Sequence, residues 1–569
     1  MRRVCLKVPL DRRTDDRQKH RARLTFVVVR GAVAQGSHTS LGMYDSQRTS
    51  GESLPPWYSA SERSVEARQD DSAWPDRVVD VVVIGAGITG LSVAYHLLQS
   101  GCSVVVLDKG SVACGETGRS TAHVSSALDD HYSVLARMHG EAGARLAAES
   151  HSAAIASIES IAHKEGIACS FERVDGYLFA TEAPQVDLLE RELLAARRAG
   201  LDVDLVGAAP LPFSTRAALR FRNQAQLQPV AYVDGLARAV RAQGGLLRTG
   251  VRVKHVEQGS PAKVHVDGGG TLRARFVVVA TNTPIVDVFA MHTKQAAYRS
   301  YAIGIPVVKG SVERALYWDT EDPYHYIRLA GDDDLLIVGG EDHKVGQSSE
   351  PEHSWARLEH WARERFPLLV ESDAVAGYRW SGQVWEPVDG LAFIGQNPGR
   401  ADNVFISTGD SGNGITHGAI AGILLSDLIY GRKNPWASLY DPSRKVTRAL
   451  AAREFVKENL NVGLHYGDYL KPGADPAQIP RGEGAIVRRG LRRVAVYVDE
   501  VGQQHECSGV CTHLGGPVNW NRAERSWDCP CHGARFDPYG RVITGPAVRD
   551  LAPLDSEQEQ HQRKRPAAE

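Results

Sequence analysis

Hydrophobic positions in this chain keep two different rhythms, and the rhythm changes along its length. Residues 77–108 carry two short β-branched runs, VVVI and VVVL, either side of the helix-like LSVAYHLLQSG. This predicts strand, glycine turn, helix, strand. Helical spacing follows near 143–165, 184–199 and 232–242. Strand-like runs then take over: LLRTGVRVKHV, AKVHV and RARFVVVATN. Between 296 and 340, AAYRSYAIGIPVV, YHYIRLA and DLLIVGG predict a β-sheet, with GDDD as a hairpin turn. A helix over 353–365, the stretch GYRWSGQVWEPVDGLAFIG, the strand NVFIST, a glycine turn and a helix over 415–430 complete this part.

After 441 the texture changes. A helix near 446–458 and a loop rich in proline and glycine, LKPGADPAQIPRGEG, lead into short strands and turns: AIVRRG, RRVAVYVDE and GRVITGP. The expected class is mixed α/β with a separate antiparallel sheet, followed by a small all-β module. The expected organisation is a disordered or extended segment over 1–76, a first domain over 77–442, a connector over 443–480, a second domain over 481–555 and a disordered tail over 556–569.

Bulk properties narrow the function classes. The chain has 569 residues and a net charge of -2, so several domains are expected and nothing global points to nucleic acid. Residues between Asp80 and Asp108 carry no charge, enough to suggest a membrane span. Two buried strands around a helix account for them better. Eight cysteines (5, 102, 114, 169, 507, 511, 529, 531) are too few for a disulfide scaffold and fit a reducing, cytoplasmic setting. The arginine-rich start, with its short apolar patch Phe26–Val29, is read as a disordered tail or as residues upstream of a start at Met43.

Two motifs carry chemistry. The first is VVVIGAGITGLSVAYHLLQSGCSVVVLDKG, with Gly85, Gly87 and Gly90 in G-x-G-x-x-G spacing and Asp108 ending the second strand. Such glycines permit a tight turn, backbone approach to a pyrophosphate and close helix packing, and the acid meets a ribose hydroxyl. The fingerprint does not separate FAD from NAD, and a merely tight βαβ turn is the bland alternative. A second turn, TGDSGNGITHG, holds Gly409, Gly412, Asn413 and Gly414 before a helix. A helix N-terminus there would stabilise negative charge on a reduced flavin.

The second motif is CTHLGG and CPCHG, giving Cys511-x-His513, fifteen residues, then Cys529-x-x-His532. Two thiolates and two imidazoles bind zinc or a Rieske [2Fe–2S] cluster. Zinc fingers usually carry their histidines on a helix. Here each pair sits in a short loop followed by glycine, where backbone N–H groups turn toward cluster sulfur.

GETGRSTAHVSSALDD (115–130), WDTEDPYHYIR (318–328), RWSGQVWEPVDGLAFIG (379–395) and TGDSGNGITHG (408–418) resemble the glycine/D-amino-acid oxidase (DadA-like) family over roughly 77–442. That resemblance implies a Rossmann-like, DAO-type FAD domain interleaved with an antiparallel β substrate domain. It also implies FAD and hydride transfer from an amine or amino acid to the flavin. Ser120-Thr121-Ala122-His123 is similar to the context in which dimethylglycine and sarcosine dehydrogenases attach FAD covalently; the competing reading is a histidine packed beside the flavin. No cysteine lies between Ser170 and Glu506, which excludes a cysteinyl link there. Arg328, with Tyr324 and Tyr326, is the candidate for binding a substrate carboxylate, against a purely structural arginine. Arg379 and Trp380 are weaker candidates.

Residues 481–553 resemble Rieske domains, with Gly545-Pro546-Ala547 similar to their proline loop. The respiratory pattern's inter-loop disulfide is missing: Gly516 stands opposite Cys531, and Cys507 lies on the preceding strand. Ala534 and Phe536 replace the serine and tyrosine of high-potential forms, so a potential near the low end of the Rieske range, roughly -150 mV, is expected. The combined expectation is an FAD-dependent amine or amino-acid dehydrogenase whose cluster relays single electrons to a ferredoxin-like protein or a quinone. The rivals are an oxidase using dioxygen with a structural or sensing Rieske module, and a redox-responsive binding protein. A Rieske oxygenase would need a mononuclear iron site, for which the sequence offers no convincing ligand set.

Overall fold

The computed structural model describes residues 50–58, 74–286, 291–331, 334–366, 377–399, 402–445 and 449–554. Strands Val79–Ile84 and Val104–Leu107 pair in parallel and are joined by helix Ile88–Gln99. The sheet extends through Leu246–Arg248 on one side, and through Thr271–Val279 and Val404–Thr408 on the other, all parallel. Phe393–Gln396 pairs antiparallel at that far edge. Strands covered on both faces read as unbroken apolar runs, which is why VVVI and VVVL have no alternation. Helices Ile88–Gln99 and Gly414–Ile429 pack closely, because Gly418 and Gly422 leave only 2.8 Å between a built Cβ and Ile88 Cγ2 or Ser92 Cβ.

A second sheet of nine strands is mostly antiparallel and interleaved in sequence with the first. It runs from Tyr378–Pro387 through Gln295–Pro306, Leu335–Lys344, His325–Ala330, Leu316–Asp319, Glu172–Ala180 and Ala217–Gln226 to His123–Val124. Helix His353–Arg365 packs Trp355, Leu358 and Trp361 into the core of this layer. The hydrophobic pattern did not call for Glu172–Ala180 or Ala217–Gln226. ERVDGYLFA is buried along its whole second half, so no alternation marks it.

The C-terminal module holds two small antiparallel sheets, Gly484–Arg489, Arg492–Val498, Gln504–Ser508 and Asn519–Asn521, Ser526–Asp528, Arg535–Phe536, Val542–Thr544. The connector is more than a tether. Its helix runs over Ala449–His465, and the turn Tyr466–Leu470 sends the Tyr466 and Tyr469 hydroxyls to the carbonyls of Leu514 (2.9 Å) and Gly515 (2.5 Å).

Residues 50–58 form a strap against the rest, with Trp57 buried and its Nε1 donating to Ser120 O at 3.0 Å. The chain start with Met43, the tail over 556–569 and the tip of the GDDD turn lie outside the described residues. Among the described residues, no helix is long and apolar enough to cross a membrane.

Glu524 fastens the C-terminal module to this framework. Its fully buried carboxylate meets Arg299 at 3.0 Å and Arg119 at 3.5 Å and accepts from Ser53 N at 3.0 Å. Burial alone would raise this carboxyl. The guanidinia of Arg119, Arg299 and Arg535 outweigh burial and hold it at about 2. Arg535 in turn pairs with Asp528 at 3.0 Å and donates to Ser50 O at 2.6 Å.

Candidate active site and cluster site

An elongated cavity of about 320 Å³ opens along the first glycine turn and is walled by both sheets and by the C-terminal module. Gly85, Gly87 and Asp108 line one end. Gly90 lies behind the wall, where a side chain would collide with the carbonyl of Gly85. Thr117 Oγ1 accepts from Ile88 N at 3.1 Å, while Gly87 at the N-cap places no side chain over the helix end. The Asp108 carboxylate accepts from Ala86 N (2.6 Å) and Gly110 N (2.8 Å). Strand Val542–Thr544 and Gly545 of the C-terminal module close this end, with Lys109 Nζ donating to Ile543 O and Arg252 pairing with Asp550 at 3.1 Å.

The second glycine turn reaches the same cavity. Gly412, Asn413 and Gly414 line it; Gly409 shapes the turn behind, its built Cβ 2.9 Å from Gln295 Oε1. A side chain at Gly412 would strike the Asp129 carboxylate, and one at Gly414 would lie 2.5 Å from Asp410 Oδ2. Helix Gly414–Ile429 begins here with no side-chain cap from Asn413, whose Nδ2 instead donates to Ser411 O at 2.8 Å. Its open N-terminus suits an electron-rich group.

The sheet wall carries Ser300, Trp318, Tyr324, Tyr326 and Trp380, with Thr121 and His123 beside them. Tyr326 Oη lies 3.0 Å from Ser300 Oγ. His123 Nε2 lies 3.2 Å from Ile327 O and Nδ1 lies 3.3 Å from Thr121 Oγ1. The carbonyl can only accept, so the proton sits on Nε2 and Nδ1 accepts from the threonine. Burial, then Arg328, pushes this imidazole down to about 3, so it is neutral. Neither nitrogen can bond to a flavin without losing one of these contacts.

Arg328 is not among the residues lining the cavity. Its guanidinium donates to Leu227 O at 3.0 Å and stacks on Trp57 at 5.2 Å. Arg379 is also outside, paired with Glu359 at 2.7 Å, whereas Trp380 lines the cavity and donates to Arg119 O at 2.9 Å.

The two Cys/His loops are built alike. Cys511 N donates to Gly516 O (2.8 Å) and Gly515 N to Cys511 O (3.1 Å); Cys529 N donates to Ala534 O (2.8 Å) and Gly533 N to Cys529 O (3.0 Å). Each loop turns back through a glycine at positive φ, Gly515 at 71° and Gly533 at 66°, where a β-carbon would be strained. Cys511 and Cys529 are buried, and the rings of His513 and His532 meet edge-on at 5.1 Å. Gly516 lets the loops close, since a Cβ there would sit 2.8 Å from Cys531 Sγ and 3.0 Å from Cys529 Sγ. Ala534 and Phe536 are fully buried and carry no hydroxyl.

The histidine side of these loops faces the first domain. His292 packs against His513 and His532, with ring centroids 4.7 and 6.2 Å apart. Gln383 lines the cavity and donates from Nε2 to Gly533 O at 2.9 Å, one residue from His532. Trp385, fully buried, lies 3.3 Å from a Cβ built on Gly533, and its own carbonyl accepts from Ser411 N at 3.0 Å.

A profile of the FAD dependent oxidoreductases (DAO) matches residues 80–428. The chain belongs to this DAO family. A Rieske [2Fe-2S] domain profile matches residues 471–555, so this DAO protein carries a Rieske domain whose match starts within the connector. YhfW of Bacillus subtilis (strain 168), named for a Rieske 2Fe-2S iron–sulfur centre, is 31% identical over 487 residues, covering 84% of this chain and 94% of YhfW. Gamma-glutamylputrescine oxidoreductase of Escherichia coli (strain K12) is 27% identical over 374 residues, 62% of this chain and 84% of the relative. Among solved structures, glycine oxidase from Geobacillus kaustophilus shares the fold with a TM-score of 0.55 at 19% identity, over 64% of this chain and 99% of that one.

The DAO domain binds FAD, and the Rieske domain binds a [2Fe–2S] cluster. The residues present fit both groups. Two open helix ends and a glycine cradle face one cavity, as a diphosphate and an electron-rich ring require. Two buried thiols and two imidazoles converge from matched loops, as the cluster requires. The sequence reading missed His292, Gln383, Trp385 and Glu524. Gln383 and Trp385 stood inside a quoted motif, but nothing local marks a residue whose partner is 150 positions away. Asp129 and Asp410 were also inside quoted motifs, and only the fold brings their two turns together.

Proposed function

We propose that this DAO-family protein oxidises an amine and passes the electrons singly through its Rieske domain to an external one-electron acceptor. Oxidation of a C–N bond to the imine releases two electrons; bound FAD takes both at once, whereas the [2Fe–2S] cluster carries one. Gly85, Gly87, Asp108 and the turn Gly412–Gly414 would hold the FAD, and Cys511, His513, Cys529 and His532 the cluster. The sheet wall orients the substrate, and the turn at Gly414 offers a positive helix end.

The observation that carries this reading is the Gln383 contact. One side chain lines the cavity and donates to the carbonyl of Gly533, the residue after His532. Electron transfer weakens less along bonds and hydrogen bonds than across gaps, so this contact and the neighbouring Trp385 form the natural bridge. Gln383→Leu keeps the volume and removes the hydrogen bond. Anaerobic stopped-flow mixing with substrate should then show flavin bleaching at the wild-type rate and cluster reduction slowed several-fold. Unchanged cluster reduction would remove Gln383 from the route. A cluster that no substrate reduces even in the wild type would refute the relay itself.

A further inference from the structure

The nucleotide end of the cavity is built by two domains. The first glycine turn receives a diphosphate and Asp108 meets the ribose next to it, so the adenine of FAD lies on the side of Asp108 away from the glycines. On that side the flavin domain supplies Val251 and Val253. The rest of the wall comes from the Rieske domain, whose Val542, Ile543, Thr544 and Gly545 line the same cavity. A largely aliphatic lining suits the flat apolar faces of a purine.

This wall is not a loose flap. Strand Val542–Thr544 pairs antiparallel with Arg535–Phe536, Arg535 standing opposite Thr544. Arg535 is itself fully buried and paired with Asp528 at 3.0 Å. The strand therefore moves only with the module it belongs to. It is also pinned from the flavin side. Arg252 Nη1 meets Asp550 at 3.1 Å and its Nη2 reaches Val542 O at 3.5 Å, while Lys109 Nζ donates to Ile543 O. Both cations line the cavity; Asp550 does not. Asp550 Oδ1 in turn accepts from Val542 N at 2.9 Å. A Cβ built on Gly545 would lie 3.1 Å from Thr283 Cγ2, so the backbone here rests directly on the flavin domain.

We propose that the Rieske domain is a fixed wall of the FAD site, which clamps the adenosine half of the cofactor so that FAD enters or leaves only when the domain undocks. The DAO match ends at residue 428, so a domain outside that span completes the cofactor site. FAD bound in this arrangement also stabilises the docked state, because a ligand favours whichever state binds it. Such a clamp needs only bound FAD and holds whether or not electrons pass through the cluster.

The test uses the full FAD- and cluster-loaded chain, diluted into FAD-free buffer, with release followed as the rise of free-flavin fluorescence. Asp550→Ala removes one partly exposed ion pair outside the cavity and should speed release by about threefold. Gly545→Leu wedges the Rieske wall away from Thr283 and should speed it by roughly tenfold or more. Iron and acid-labile sulfide at wild-type levels show that the Rieske domain of each variant is folded. Contact is read separately in the wild type, loaded with FAD that carries an azide on adenine C8 and then irradiated. The label should be found on residues 542–548 as well as near Val251. Release at the wild-type rate in both variants, or an adenine label confined to the flavin domain, would overturn the clamp.

Discussion

Cys529→Ser is expected to separate the two halves of the reaction. Flavin content and anaerobic bleaching by substrate should stay within a few-fold of wild type, while steady-state reduction of a ferredoxin acceptor should fall by on the order of a hundredfold or more. Loss of partners that merely orient metal ligands already costs about 10–100-fold, and here a ligand itself is removed. Cys529 is buried and does not line the FAD cavity, so its loss leaves the glycine turns and the sheet wall in place. The comparison is made by measuring both half-reactions on one preparation, with iron and acid-labile sulfide assayed alongside. Acceptor reduction that survives loss of the cluster would mean that electrons leave the flavin directly.

Glu524→Gln is expected to be the most destabilising conservative change on the surface between the two domains. The substitution leaves Arg119, Arg299 and Arg535 buried around a neutral amide. Removing one member of a buried charge cluster costs about 3–5 kcal/mol, because the remaining charges have lost their hydration and gained nothing. The effect should appear in chemical denaturation as early release of the Rieske domain, read by cluster absorbance, ahead of flavin release. The pH dependence has a definite sign. The carboxyl is held at about 2 in the folded protein, below its ordinary value of about 4.3. Its contribution is therefore complete above the ordinary value and is lost as pH falls toward about 2. The wild type should lose stability across that window, and the glutamine variant should lack this component of the loss.

Both chemical motifs were readable because each is local. The G-x-G-x-x-G turn needs only a strand, a helix and small residues between them, and the cluster loops bind through four residues within 22 positions. Strands buried on both faces, such as Val79–Ile84, announce themselves as unbroken apolar runs. What the sequence did not disclose depends on distant partners. Arg328 stands near two cavity tyrosines in sequence and leaves the same face of its regularly paired strand as Tyr326, yet sequence does not tell where so long a side chain finds its partners. Tyr326 lines the cavity, while the Arg328 guanidinium reaches Trp57 and Leu227. The strap at 50–58 has no periodicity at all; it is fixed by Glu524, Arg119 and Arg299, three residues spread over 405 positions of sequence.

The central claim is that electrons from the substrate reach the iron–sulfur cluster through the protein. It is tested most directly by anaerobic titration of the wild type with the substrate amine, followed by optical and paramagnetic resonance spectroscopy together. The account predicts uptake of about three electrons per chain, two by flavin and one by the cluster, with the resonance of the reduced cluster growing as the flavin bleaches. Complete bleaching beside a cluster that stays oxidised and silent would contradict it.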